Sequence, residues 1–366
     1  MSEQPRRGAL GWRVEPITVG IDIGGSKLLA GAVNDRGQVL ETVRRETPTK
    51  SPRAVEDAIV ETVRDLSARH PVAAVGIGAA GFVDAGRASV LFSPHLAWRN
   101  EPLRDAVWER LRLPVVVDND ANAAAWAESR FGAAVGRRHV LCITLGTGIG
   151  GALVLDGRVF RGANGMAGEF GHMQVVPGGH RCECGNRGCW EQYASGNALV
   201  RDARELVQAD SPVAHHLRDA VDGDLTRLSG PLVTEAARAG DPAAVELISE
   251  VGGWLGTGLA GLTAAFDPDC IIIGGGVSEA GDLLLAPTRD AFARTLTGRG
   301  FRTPPPIMGA FLGPDAGFIG AADLARSAAR RSRRSRRRRS RMRTRRELLR
   351  SQGRYPGRLG GQLFEK

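Results

Sequence analysis

Aromatic side chains are scarce in this chain, with two Tyr, six Trp and eleven Phe among 366 residues. Long apolar runs are missing as well. No uninterrupted stretch is long enough to span a bilayer, and the first sixteen residues, MSEQPRRGALGWRVEP, lack the apolar core of a secretory leader. Both absences point to a cytoplasmic protein without a membrane anchor. Of five cysteines, three (Cys182, Cys184, Cys189) crowd into one short run, while Cys142 and Cys270 stand alone among apolar residues. That spacing excludes a disulfide framework and fits thiols kept for metal in a reducing compartment. A Walker A loop, G-x-x-x-x-G-K-[ST], is also absent, which removes the P-loop nucleotidases.

The basic net charge of +9 belongs to one end. From Arg326 to Lys366 there are sixteen Arg and one Lys against two Glu, a net +15, which leaves residues 1–325 at −6. The tail has too few apolar residues to form a core and is expected to be disordered. Its only aromatics are Tyr355 and Phe364, too few for base stacking, so non-specific binding of polyanions is the most its charge supports. The body is long enough for about two domains.

Glycine is plentiful, at 49 residues, and it punctuates an internal repeat. Residues 17–40 and 141–160 each read as an apolar strand, a glycine turn, a second apolar strand, a polar turn and a third strand. A meander that occurs twice predicts two similar lobes; two unrelated hairpins are the plainer alternative. Between the copies lie a helix over 53–69, buried strands at 72–78 and 114–118, and a helix over 121–131. After them come a mostly helical stretch over 196–265 and a buried strand at 270–273. Alternating strands and helices mean an α/β fold.

Three glycine turns end apolar strands. Asp22-Ile23-Gly24-Gly25-Ser26-Lys27 offers close backbone N–H groups, a hydroxyl and a cation to a phosphate, with Asp22 placed to hold Mg2+. Gly146-Thr147-Gly148-Ile149-Gly150-Gly151 matches G-x-G-x-x-G but runs on into a strand, so it reads as a second phosphate hairpin, not a dinucleotide loop. Gly274-Gly275-Gly276 is the third. Asn119-Asp120 follows the strand that ends at Asp118. Either residue can cap the next helix, or Asp120 can act as a general base on a substrate hydroxyl. Cys182, Cys184 and Cys189 with one histidine complete a closed tetrahedral zinc site. His172 and His180 both compete for the fourth place, and spacing does not separate them. Glu169 and Glu191 flank the cluster.

These residues resemble the ROK family of sugar kinases and sugar-responsive regulators, over about residues 17–328. The likeness rests on Asp22-Ile-Gly-Gly-Ser-Lys, Gly76-Ile-Gly-Ala-Ala-Gly-Phe-Val-Asp84, Trp98-Arg99-Asn100, Asn119-Asp120-Ala-Asn122-Ala, Thr144-Leu-Gly-Thr-Gly-Ile-Gly-Gly151, Gly168-Glu-Phe-Gly-His172 and C-x-C-G-x-x-G-C-W-E. Ala80 departs from a common proline.

The resemblance implies a two-lobed, actin-like (ribonuclease H-like) α/β ATPase fold with a zinc-binding loop. Its parts would be a flexible N-terminus over 1–16, a small lobe over 17–118 completed by a helix over 314–328, a large lobe over 119–313 with the zinc loop at 172–189, and the tail at 329–366. It implies Asp120 as base on the 6-hydroxyl of glucose, with Asn119, Glu169, His172 and Glu191 on the other hydroxyls. His172, Cys182, Cys184 and Cys189 would bind zinc. Asp22, Gly24, Gly25, Ser26, Lys27, Thr147 and Gly148 would hold MgATP, with Gly275 and Gly276 by the adenosine. A homodimer or homotetramer is expected. Other sugars, namely N-acetylmannosamine, N-acetylglucosamine, mannose and fructose, compete with glucose. A regulator would carry a helix-turn-helix before the first strand, and about sixteen residues there are too few for one.

Overall fold

The computed structural model describes residues 16–94 and 96–331. Residues 1–15 of the expected flexible N-terminus and 332–366 of the expected tail lie outside the described residues. The chain opens with a meander, β1 (Ile17–Ile23), β2 (Lys27–Val33) and β3 (Val39–Glu46). Helix α1 (Pro52–Ser67) follows, then β4 (Val72–Ala79). Ser51 accepts the Ala54 N–H and Pro52 sits at the first helical position, where its missing N–H costs nothing. The α1 stripe Val55, Ile59, Val63 and Leu66 is buried. A small sheet of β5 (Phe82–Val83), β6 (Val90–Phe92) and β7 (Arg99–Glu101) precedes α2 (Leu103–Leu111) and β8 (Val115–Asn119).

Helix α3 (Asp120–Phe131) leads to the second meander, β9 (Val140–Leu145), β10 (Ile149–Leu155) and β11 (Arg158–Phe160). Helices α4 (Gly196–Gln208), α5 (His215–Asp219), α6 (Gly230–Arg238) and α7 (Pro242–Phe266) come next. They are followed by β12 (Cys270–Gly274), α8 (Asp282–Thr295), β13 (Ile307–Gly309) and a last helix, α9 (316–331). Residues 329–331, assigned by sequence to the tail, continue this helix. Among the described residues no helix is long and apolar enough to cross a membrane.

The repeat becomes two sheets of one design. The first runs β3-β2-β1-β4-β8 and the second β11-β10-β9-β12-β13. In each, the meander pairs antiparallel, its first strand pairs parallel with the next strand of the sheet, and that strand pairs parallel with the last. The interior strands β1 and β12 are almost wholly buried, as strands covered on both faces must be. Edge strand β3 instead alternates between exposed and half-buried residues.

Helix α3 touches strands of both sheets, so its first residue, Asp120, lies where they meet. Helix α9 lies flat on the first sheet because glycine removes the obstruction. A β-carbon at Gly20 would collide with the Phe318 carbonyl, and one at Gly76 with that of Ala321. The parallel strands end together, with Asp22 opposite Gly78 and Gly78 opposite Asp118. Ligands in such sheets bind outside the carboxyl ends of the strands, and the glycine turns lie at those ends.

Candidate active site and metal centre

Asn119 and Asp120 divide the two roles considered for them. Asn119 is the cap, with extended backbone and its Oδ1 accepting the Asn122 N–H at 3.0 Å. Asp120 is the first helical residue. Its Oδ1 accepts the Ala121 N–H and the Asn119 side-chain amide, each at 2.9 Å. The Asn119 amide also donates to the Gly81 carbonyl at 3.2 Å. The cap therefore orients the carboxylate beside it. A negative charge is favoured at this helix N-terminus.

The cysteines and His172, not His180, come together. One ring nitrogen of His172 and the Sγ atoms of Cys182, Cys184 and Cys189 all lie within 4.8 Å of one another. Cys184 and Cys189 are 3.6 Å apart, as are Cys182 Sγ and His172 Nδ1. His180 is exposed and rests on the Tyr193 ring, 5.3 Å between centroids. A donor set of three sulfurs and one imidazole nitrogen, already gathered to the spacing of a tetrahedron, fits zinc. The loop folds back on itself to do this. Val175 N–H donates to Gly188 O at 2.8 Å and Trp190 N–H to Met173 O at 2.8 Å. Burial holds the Cys182 thiol well above its ordinary pKa. Zinc is what makes such a thiol a thiolate.

Trp190 then docks the loop. It is fully buried, its indole N–H donates to the Trp254 carbonyl at 2.9 Å, and its ring lies against Gly258 of α7. Glu191 is thereby set between the cluster and the β9–β10 turn. Its Oε1 is 3.3 Å from His172 Nδ1 and accepts from Cys182 Sγ at 3.0 Å. A β-carbon on Gly148 would sit 2.6 Å from Glu191 Oε2. Burial works to raise the Glu191 pKa, but hydrogen bonds from His172 and Cys182 outweigh it and hold the carboxyl below its ordinary range.

The turns of the second sheet converge. Gly196 N–H at the start of α4 donates to Gly146 O at 2.8 Å, and Asn197 N–H to Thr147 O at 3.2 Å. Gly275, at φ +85, lies directly against Leu145, where no side chain fits. Gly146 and Gly276 face open space. Together these form a cradle of backbone suited to phosphate. On the first sheet, Gly24 N–H donates to Lys27 O at 2.9 Å, closing the hairpin that exposes Ser26 and Lys27.

Acidic groups crowd the space between. Asp22 keeps some solvent contact but is surrounded by protein, and burial, then the charge of Asp120, push its pKa up to about 7. It abuts Gly317 at the start of α9. Glu169 is also raised to about 7, first by burial; His172 opposes the shift, while Asp120 and Glu191 add to it. Neighbouring carboxylates in one partly desolvated space call for a cation, and Asp22 fits Mg2+ in that respect. Sequence reasoning missed Asp118, Arg87 and Arg161, which pair beneath Asp120. A carboxylate ending the apolar strand Val115-Val116-Val117 was the available signal.

The ROK family model matches residues 18–328. Glucokinase of Streptomyces coelicolor is 48% identical over 310 residues, covering 85% of this chain and 98% of its own length. Among solved structures, a ROK family glucokinase from Streptomyces griseus in complex with glucose and AMPPNP is 50% identical. Its TM-score is 0.78, with 85% of this chain and 99% of that one covered. A ROK hexokinase from Thermus thermophilus is 36% identical at a TM-score of 0.70, covering 84% and 96%. The α/β architecture is shared with these kinases. This chain, with its doubled sheet and its cluster between Glu169 and Glu191, belongs to the ROK family.

Proposed function

We propose that this chain is an ATP-dependent glucokinase that transfers a phosphoryl group to the 6-hydroxyl of glucose, releasing ADP. The observation that carries the reading is one arrangement. Asp120 stands at the N-terminus of the helix bridging both sheets, close enough to Asp22 and Glu169 to raise their pKa values. The Gly148 turn meets Glu191 at the same place. A base, a polyol-binding set and a phosphate cradle are thus adjacent.

Asp120 takes the hydroxyl proton as the sugar oxygen attacks the terminal phosphorus and the bond to ADP breaks. Such transfer needs positioning and charge neutralisation more than covalent help. Asn119, Glu169, His172 and Glu191 bracket the remaining hydroxyls, since carboxylates and amides pair well with a ring of O–H groups. Asp22, Gly24, Gly25, Ser26, Lys27, Thr147 and Gly148 receive the phosphates of MgATP, with Gly275 and Gly276 on the adenosine side. Bound Mg2+ supplies neutralisation of the phosphate charge. Zinc held by His172, Cys182, Cys184 and Cys189 would supply a cross-link that fixes the loop. His172, with Nδ1 3.6 Å from Cys182 Sγ, keeps Nε2 as the nitrogen that donates to the sugar. Closure of a small lobe (17–118, with α9) on a large lobe (119–313) excludes water. A cytoplasmic homodimer or homotetramer is part of this reading, checked by light scattering.

The test is a coupled ADP-release assay over glucose, mannose, fructose, N-acetylglucosamine and N-acetylmannosamine, with ATP or polyphosphate as donor. Highest kcat/KM for glucose with ATP is expected. Preference for another sugar moves the chain to a sibling activity, and no turnover on any sugar overturns the kinase reading.

A further inference from the structure

Asp118 is only 2% exposed, yet two guanidinium groups converge on it. Arg87 Nη2 lies 2.8 Å and Arg161 Nη2 2.5 Å from its Oδ2. Arg161 Nε also reaches both carboxylate oxygens, at 3.0 and 3.2 Å. Oδ1 further accepts the Asn119 N–H at 3.1 Å and the Asn122 side-chain amide at 3.4 Å. The three charged residues come from three sheets. Asp118 is in β8, Arg161 follows β11, and Arg87 sits in the turn between β5 and β6.

Each partner leads to a residue of the site. Asp118 immediately precedes Asn119 and Asp120. Arg161 opens the segment that ends at Glu169, and its carbonyl accepts the Ala167 N–H at 3.1 Å, closing that segment into a loop. Gly165 within the loop, at φ +90, rests on the Val83 carbonyl and the Ala85 amide, 2.2 and 2.8 Å from its would-be β-carbon. The loop therefore lies on the same hairpin that carries Arg87. Burying three charges is a poor route to stability, because apolar residues of similar volume often do as well. A bidentate fork, however, sets distance and angle together.

We propose that Asp118 and Arg161 are positioning residues for phosphoryl transfer: their paired hydrogen bonds hold the Glu169 loop against the β8–α3 junction and so set the sugar-binding carboxylate relative to the base. The proposal rests on the assignment of Asp120 and Glu169 given above. Lysine at 161 keeps the charge and loses the fork. The experiment is steady-state kinetics of the full chain carrying Arg161→Lys, alone and combined with Glu169→Gln, alongside thermal unfolding.

With a melting temperature near wild type, Arg161→Lys is expected to raise KM for glucose and lower kcat/KM by about tenfold or more, leaving KM for ATP unchanged. In the Glu169→Gln background it should add little, since both act through one carboxylate. Unchanged kcat/KM for glucose, or losses that multiply fully in the double variant, overturns the proposal. If Arg161→Lys does not fold, the neutral pair Asp118→Asn with Arg161→Gln serves the same comparison, and wild-type kcat/KM there is equally fatal. If Asp120→Ala and Glu169→Gln alone leave kcat/KM intact, it is the site assignment that fails, a result read independently of Arg161.

Discussion

Trp190 and Gly258 fit each other to the exclusion of one carbon: a β-carbon at Gly258 would collide with the Trp190 indole. The next residue is Glu191, so packing on α7 and the position of a site carboxylate are one problem. Gly258→Ala is expected to cost about 1–3 kcal/mol by overpacking and to raise KM for glucose more than KM for ATP. Thermal unfolding and steady-state kinetics check this. An unchanged KM for glucose would mean that Trp190 does not locate Glu191.

Asp120 is oriented by Asn119 and by the Ala121 amide. Asp120→Ala should lower kcat by about 10²–10⁴-fold, the usual contribution of a general base, while calorimetry still detects glucose binding. Turnover near wild type would remove Asp120 from the role of base.

Cys184 completes the four-donor cluster with Cys182, Cys189 and His172. Cys184→Ser should reduce bound zinc, read by atomic absorption, and raise KM for glucose, because His172 belongs to the cluster and lies beside Glu191. Metal content equal to wild type would contradict the ligand set.

Asp22 has a pKa raised to about 7 by burial and then by Asp120. Its folded value exceeds the unfolded one, so between about pH 4 and 7 the folded state binds more protons. Stability of the nucleotide-free, Mg2+-free protein should therefore fall as pH rises through that window. Asp22→Asn removes the titration, so its melting temperature should gain on wild type between pH 4 and pH 8. A constant difference across that range would show that Asp22 does not titrate there.

Much of this was legible in the chain itself. Apolar runs bounded by glycine marked β1, β2, β9, β10 and β12, because strand periodicity and turn chemistry are local. The doubled meander predicted two similar lobes, and each copy forms three strands of a five-stranded sheet. Helix α3 was anticipated over 121–131 and begins one residue earlier, at Asp120. Cysteine spacing alone announced a metal centre.

What tertiary structure decided lies between residues far apart in sequence. Spacing left His172 and His180 equal as ligands; the antiparallel return of the loop brings His172 to the sulfurs and turns His180 onto Tyr193. Asp118 looked like the end of an apolar strand, and only the meeting of three sheets supplies Arg87 and Arg161. Gly258 was one of several helix glycines until Trp190 was set against it. The sequence by itself determined the elements, the glycine turns and the chemistry available, because those follow from neighbours along the chain. Which carboxylates share one space, and what their pKa values become, follows from burial and through-space charge, which exist only once the chain has folded.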